Sequence, residues 1–240
     1  MTALLALDGV SKRFRGVVAV DRVSFAVPEG AIIGLIGPNG AGKTTIFNLI
    51  AGVFHPDEGT IKLGGRNIAG LGPDETCRAG IGRTFQLVRP FGGLSVLENV
   101  MIGAFRLGPD VAAAEARAHA VLARLGLAEK AHEQASSLTL AERKRLETAR
   151  ALATGPRLLL LDEVMSGLRP VEIDAMVRVF ADLVRETGLT ILLTEHVMRA
   201  VMALSHHIIV VHHGQMICEG TPAAVTRDPN VIACYLGAAK

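Results

Sequence analysis

The apolar positions of this chain follow two periods. Short runs dense in Ile, Leu and Val stand at Ala31 to Ile36, Leu158 to Leu161 and Ile191 to Leu193. Runs of that length predict strands buried on both faces, as in a parallel sheet. Residues 4–10 and 17–27 alternate or run apolar and predict two more strands, with Phe14 in a polar turn, Ser11 to Gly16, between them. Another strand is expected at Gly59 to Leu63, after the turn His55-Pro56-Asp57-Glu58. Towards the C-terminus, strands at 157–161, 189–194 and 207–211 alternate with helices at 171–187 and 196–204. Strand–helix alternation of this kind predicts an α/β fold with a mainly parallel sheet.

The middle of the chain has the helical period instead. Leu and Val recur at helical spacing from Val111 to Leu125, with Asp110 as N-cap and Gly126 just past the C-terminus. A second helix is predicted from about Leu140 to Ala153, closed by Gly155-Pro156. The stretch 88–155 therefore interrupts the α/β pattern and is expected to form a separate helical subdomain.

Composition narrows the class. Half of the 240 residues are hydrophobic and mean hydropathy is +0.38. No run approaches the roughly 20 apolar residues of a membrane-spanning helix. Met1 to Val10 lacks the basic stretch and cleavage site of a signal peptide, and Cys77, Cys218 and Cys234 form no CxxC pair, so a cytoplasmic chain is expected. Net charge is +2 with acids and bases interspersed, which leaves no basic stripe for nucleic acid.

Between a buried strand and a helix lies Gly37-Pro38-Asn39-Gly40-Ala41-Gly42-Lys43-Thr44, a match to G-x-x-x-x-G-K-[ST]. Phosphate oxygens need inward-pointing backbone N–H groups at close range, which glycine permits, and the following helix N-terminus adds its dipole. Lys43 would reach the β- and γ-phosphates, and the Thr44 hydroxyl would ligand Mg²⁺; Thr45 completes the expected nucleotide contacts. Far downstream, the apolar strand Leu158 to Leu161 ends in Asp162-Glu163. Ligands of open α/β sheets bind at the carboxyl ends of strands. Asp162 would hold Mg²⁺ there, and Glu163 would orient and deprotonate an attacking water. The histidine pairs His206-His207 and His212-His213 flank the strand Ile208 to Val211 and are expected to cap an outer hairpin around Gly214.

In order and spacing these motifs resemble the nucleotide-binding subunits of ABC transporters, over the whole length of the chain. Phe14 lies 29 residues before Lys43, where the family has an aromatic that stacks on adenine. Thr84-Phe85-Gln86 resembles the Q-loop, whose glutamine contacts Mg²⁺ and links to the membrane subunit. Leu138-Thr139-Leu140-Ala141-Glu142 stands at the signature motif, usually L-S-G-G-Q, and Ser166 to Pro170 at the D-loop, with Arg169 where Asp or Asn is usual. Thr194-Glu195-His196 contains the switch histidine.

The resemblance implies a P-loop NTPase (RecA-like) core with an N-terminal antiparallel β subdomain and an inserted α-helical subdomain. The whole of 1–240 would be one domain, with 1–87 and 156–240 as nucleotide-binding core. It implies ATP and Mg²⁺ as cofactors, and Lys43, Gln86, Glu163 and His196 as catalytic residues. Thr44, Gln86 and Asp162 would hold the metal, and Phe14, residues 37–45 and Thr139 would contact nucleotide. The partners implied are transmembrane permease subunits, a second ATP-binding subunit in a hetero- or homodimer, and, indirectly, a periplasmic binding protein. The place implied is the cytoplasmic face of the membrane. An apolar segment around Gln86 to Leu94, with Leu87, Val88, Pro90, Phe91 and Leu94, is the expected permease contact.

Within the family, Val10 to Phe14, Arg83 to Gln86, Ser95 to Val100, Glu195 to Met198, Glu219 to Pro222 and Tyr235-Leu236-Gly237 are similar to the importers of branched-chain and related amino acids. Lipopolysaccharide-export ATPases, urea or aromatic-acid importers, and a degenerate cassette that only binds ATP are the alternatives.

Overall fold

A computed structural model describes residues 3–86 and 89–236. The N-terminal third holds β1 (Ala3–Phe14), β2 (Val17–Pro28), β3 (Ile32–Ile36), α1 (Lys43–Ile50), β4 (Glu58–Leu63), β5 (Arg66–Asn67), α2 (Pro73–Ala79) and β6 (Ile81–Arg83). Three helices follow: α3 (Val96–Ala104), α4 (Val111–Arg124) and α5 (Leu140–Ala153). The remainder alternates: β7 (Leu158–Asp162), α6 (Pro170–Thr187), β8 (Thr190–Thr194), α7 (Met198–Leu204), β9 (His207–His212), β10 (Gln215–Gly220), α8 (Pro222–Val225) and α9 (Pro229–Leu236).

Two sheets form. β2-β1-β4-β5 is antiparallel, and a six-stranded sheet has the order β10-β9-β3-β8-β7-β6, parallel except at the β10 edge. All five residues of β3, β7 and β8 are buried, as runs without polar alternation require. Their side chains divide by parity between two cores. Ile32, Ile36, Leu159, Leu161, Ile191 and Leu193 face one core with the helices α3 to α6. Ile33, Leu35, Leu158, Leu160 and Leu192 face the other, with α1 and the antiparallel sheet. One sheet thus joins the N-terminal β layer to the helical layer.

Most predicted elements stand, with bounds shifted by a residue or two. Asp110 accepts from the Ala112 and Ala113 N–H groups as N-cap of α4, and Gly126 follows at φ +67°. The histidine pairs do bracket a hairpin, β9–β10, with His213 and Gly214 in its turn. The first hairpin differs from expectation: β1 runs on through Ser11 to Phe14, and only Arg15-Gly16 turn. The reason is pairing, since Lys12, Arg13 and Phe14 are in register with Val20, Val18 and Val17.

Candidate active site

Parallel strands in one sheet deliver their carboxyl ends to one edge, and there the predicted residues meet. β3 ends at Ile36 and runs into the loop 37–42, which is capped by α1. A Cβ on Gly37 would run into the Val211 carbonyl oxygen, so only glycine lets the loop leave β3 this close to β9. Gly42 is the N-cap of α1 at φ +106°, where a Cβ would lie 2.5 Å from the Ala19 carbonyl oxygen. Lys43 is buried, and its ammonium donates to the carbonyls of Gly37 (2.7 Å) and Pro38 (3.0 Å). Burial pulls its pKa below the usual lysine value, and the nearby Glu163 and Asp162 carboxylates act the other way.

β7, β8 and β6 bring the rest. Asp162 is the last residue of β7 and is buried. Its Oδ1 accepts from the Thr194 hydroxyl (3.0 Å), at the end of β8, and its Oδ2 from Arg83 Nη2 (3.0 Å), at the end of β6. Arg83 also donates to Asn48 on α1 (2.6 Å), so four elements are tied at this carboxylate. Glu163, next along, accepts from the Gln86 amide through Oε2 (2.6 Å), and its Oε1 lies 2.8 Å from His196 Nε2. An open cleft of about 590 Å³ is lined by Asn39 to Thr45, Gln86, Glu163 and His196, and by Val17, Val18 and Ala19 of β2. Thr44, Gln86 and Asp162 line an adjoining hollow together. A hydroxyl, an amide oxygen and a carboxylate are hard oxygen donors, which suits Mg²⁺.

Two predicted contacts lie elsewhere. Phe14 is not among the residues lining the cleft; its ring packs edge-on against Phe54, centroids 5.0 Å apart, with Lys12 over it at 5.6 Å. Thr139 is the N-cap of α5, and its hydroxyl and N–H both donate to the Glu142 carboxylate at 2.8 Å. Glu142 in turn pairs with Lys130 at 3.1 Å. Its charge is therefore offset by Lys130 and the helix N-terminus, and not by Arg143, Lys144 and Arg145 as their closeness in sequence suggests. Sequence reasoning missed Arg83, Thr194 and the valines of β2. None of them left a clear local signal: Val17 and Val18 belong to an apolar run that reads as strand, and both prove exposed.

The family model for "ABC transporter" matches residues 20–166, and that for "Branched-chain amino acid ATP-binding cassette transporter" matches residues 215–240. The chain is 41% identical to the high-affinity branched-chain amino acid transport ATP-binding protein LivG of Salmonella typhimurium, across 98% of each chain. The chain belongs to the ABC transporter ATP-binding family. The lipopolysaccharide export system ATP-binding protein LptB of Acidithiobacillus ferridurans is 35% identical, over 99% of this chain and 98% of that one. Among solved structures, the ADP conformation of MJ1267, an ATP-binding cassette of an ABC transporter, superposes with a TM-score of 0.90 at 30% identity, covering 99% of this chain and all of that one. The cassette is thus an ATPase, and among its described residues no helix is long and apolar enough to cross a membrane.

One buried acid beside the cassette's cleft carries a pH signature. Glu195 is 2% exposed; the Met165 N–H donates to its Oε1 at 2.7 Å, and Oε2 has no partner among the described residues. Burial pushes its carboxyl from the usual 4.5 up to about 7. The folded state then binds the proton more tightly than the unfolded chain. The stability so gained is complete below pH 4.5 and is lost as pH rises to about 7. The shift corresponds to roughly 3 kcal/mol. Glu195→Gln is expected to remove this slope, so that it gains on the parent protein between pH 5 and 7.5. Denaturant unfolding of both proteins at the two pH values measures it, and parallel pH dependence would show that Glu195 ionises normally.

Proposed function

We propose that this cassette powers uptake of branched-chain or related amino acids, from the cytoplasmic face of the membrane, as one of two ATP-binding subunits docked on transmembrane permeases and fed by a periplasmic binding protein. The observation that carries the reading is the convergence of Lys43, Gln86, Asp162, Glu163 and His196 at one sheet edge, in a chain similar end to end to a branched-chain amino acid ATPase. The whole chain acts as one ATPase domain, with 88–155 as its helical subdomain.

Hydrolysis of ATP by in-line attack of water needs positioning and charge neutralisation more than covalent help. In the proposed mechanism Lys43 and the N–H groups of its loop hold the phosphates. Its ammonium has three N–H donors, of which two are on loop carbonyls, so one is left for a phosphate oxygen. Mg²⁺, bound by Thr44, Gln86 and Asp162, would supply further charge neutralisation at the phosphates. Glu163 accepts the proton of the attacking water. His196 and Gln86, both on the Glu163 carboxylate, fix its direction and would meet the terminal phosphate of bound ATP. The adenine would rest against the valines of β2, which line the cleft, whereas Phe14, packed on Phe54, does not. Thr139 serves the partner subunit's nucleotide, which requires its hydroxyl to let go of Glu142.

Permease docking falls to the exposed apolar side chains between the core and the helical layer. Phe85, Phe91, Ile102 and Val53 are all exposed, and Phe85, Ile102 and Val53 line one groove. Leu94 and Pro90 are half-buried, and Leu87 and Val88 lie outside the described residues, as does Gly237. The reading is tested by ATP-dependent uptake of leucine, isoleucine and valine into vesicles that hold the assembled transporter.

A further inference from the structure

Glu163 stands at φ +51°, in the left-handed region. For a residue with a Cβ this costs on the order of 1–3 kcal/mol and persists only where neighbours over-determine it. Two contacts do so. The Glu163 N–H donates to the Thr194 carbonyl at 2.9 Å, and the Glu163 carbonyl accepts from Lys144 Nζ at 3.0 Å. The first belongs to the sheet, whereas the second comes from another layer of the molecule.

Lys144 lies in α5, two residues after the signature stretch 138–142, and is 5% exposed. A buried ammonium is costly unless its donors and its charge are met. The same Nζ lies 3.5 Å from the Gln86 carbonyl oxygen. Burial pulls its pKa down, and the carboxylates of Glu195, Glu163, Asp162 and Glu147 pull it back. One ammonium from the signature helix therefore sits on the backbone carbonyls of the two residues whose side chains meet at 2.6 Å in the cleft. Lys144 is not among the residues that line that cleft, so its argued role is through Glu163 and Gln86.

We infer that Lys144 is a positioning residue, which ties the signature helix to the backbone of Glu163 and so aims the Glu163 carboxylate. The inference rests on the reading of Glu163 as the group that takes the water's proton. A shift of α5 moves the ammonium, and with it the turn that points the carboxylate at Gln86 and His196. The helix that would feel the partner subunit's nucleotide is in this way mechanically linked to the chemistry of its own subunit.

The test uses Lys144→Met and Lys144→Arg in the assembled transporter, alone and combined with Glu163→Gln. Single-turnover ATP hydrolysis and calorimetric ATP affinity are the readouts. Lys144→Met is expected to lower hydrolysis about 10- to 100-fold, the size of a small misplacement of a catalytic group, with ATP affinity within about threefold. Lys144→Arg, which keeps a cation, is expected to recover most of that loss. In the Glu163→Gln background Lys144→Met should add less than about twofold, because the group it aims is gone. Unchanged hydrolysis in Lys144→Met overturns the inference, and so does an equal fold loss with and without Glu163. If Lys144→Met does not fold, Lys144→Arg carries the test, and a loss of ATP affinity in it that matches its loss of rate overturns the positioning role. Full activity in Glu163→Gln alone would instead refute the assignment of Glu163, a separate result.

Discussion

Replacing Glu163 by glutamine is expected to leave ATP binding intact and to cut turnover by roughly 10²–10⁴-fold, the usual contribution of a general base. The amide is nearly isosteric, so the left-handed turn and the Lys144 contact at the Glu163 carbonyl should survive. The amide cannot accept a proton, so the base is removed. It also alters the contacts with Gln86 and His196, at 2.6 and 2.8 Å, since an amide presents one acceptor atom where the carboxylate presents two. Steady-state phosphate release from the assembled transporter, beside calorimetric ATP affinity, measures both halves. Near-normal turnover would remove Glu163 from the mechanism, and a parallel loss of affinity would make it a binding residue.

Lys43→Ala acts at the other end of the cleft and on binding itself. A charge-assisted hydrogen bond to phosphate is worth about 1.5–3 kcal/mol, so affinity is expected to fall by about 10- to 100-fold. The variant also removes the ammonium that bridges the Gly37 and Pro38 carbonyls, which loosens the loop before nucleotide arrives. Calorimetry with ATP and with ADP checks it. An unchanged affinity would mean that the ammonium stays on its loop carbonyls when nucleotide binds.

The features legible in the chain are those with a local cause. Ile32 to Ile36 and Leu158 to Leu161 are apolar without alternation because both faces of their strands are covered. The loop 37–42 is legible because close backbone approach demands glycine. β6 was missed because Ile81 to Arg83 is three residues with a glycine in the middle, too short to show a period. α3 was missed as a helix although Ser95 and Glu98 form a capping box at its start. Arg83, Thr194 and Lys144 owe their places to chain crossings that no local pattern records. Lys144 is the clearest case: in the run Arg143-Lys144-Arg145 nothing local sets it apart from its neighbours, yet tertiary packing turns it inward.

The proposed role of this cassette is to hydrolyse ATP and so drive amino-acid uptake. The most direct measurement is ATP hydrolysis by the complex of this chain with its permease subunits and binding protein, titrated in turn with leucine, isoleucine, valine, urea and phenylalanine. Hydrolysis is expected to rise with the branched-chain amino acids and to fall by roughly 10²–10⁴-fold in Glu163→Gln. ATP bound without hydrolysis, or hydrolysis indifferent to every amino acid offered, would contradict that role.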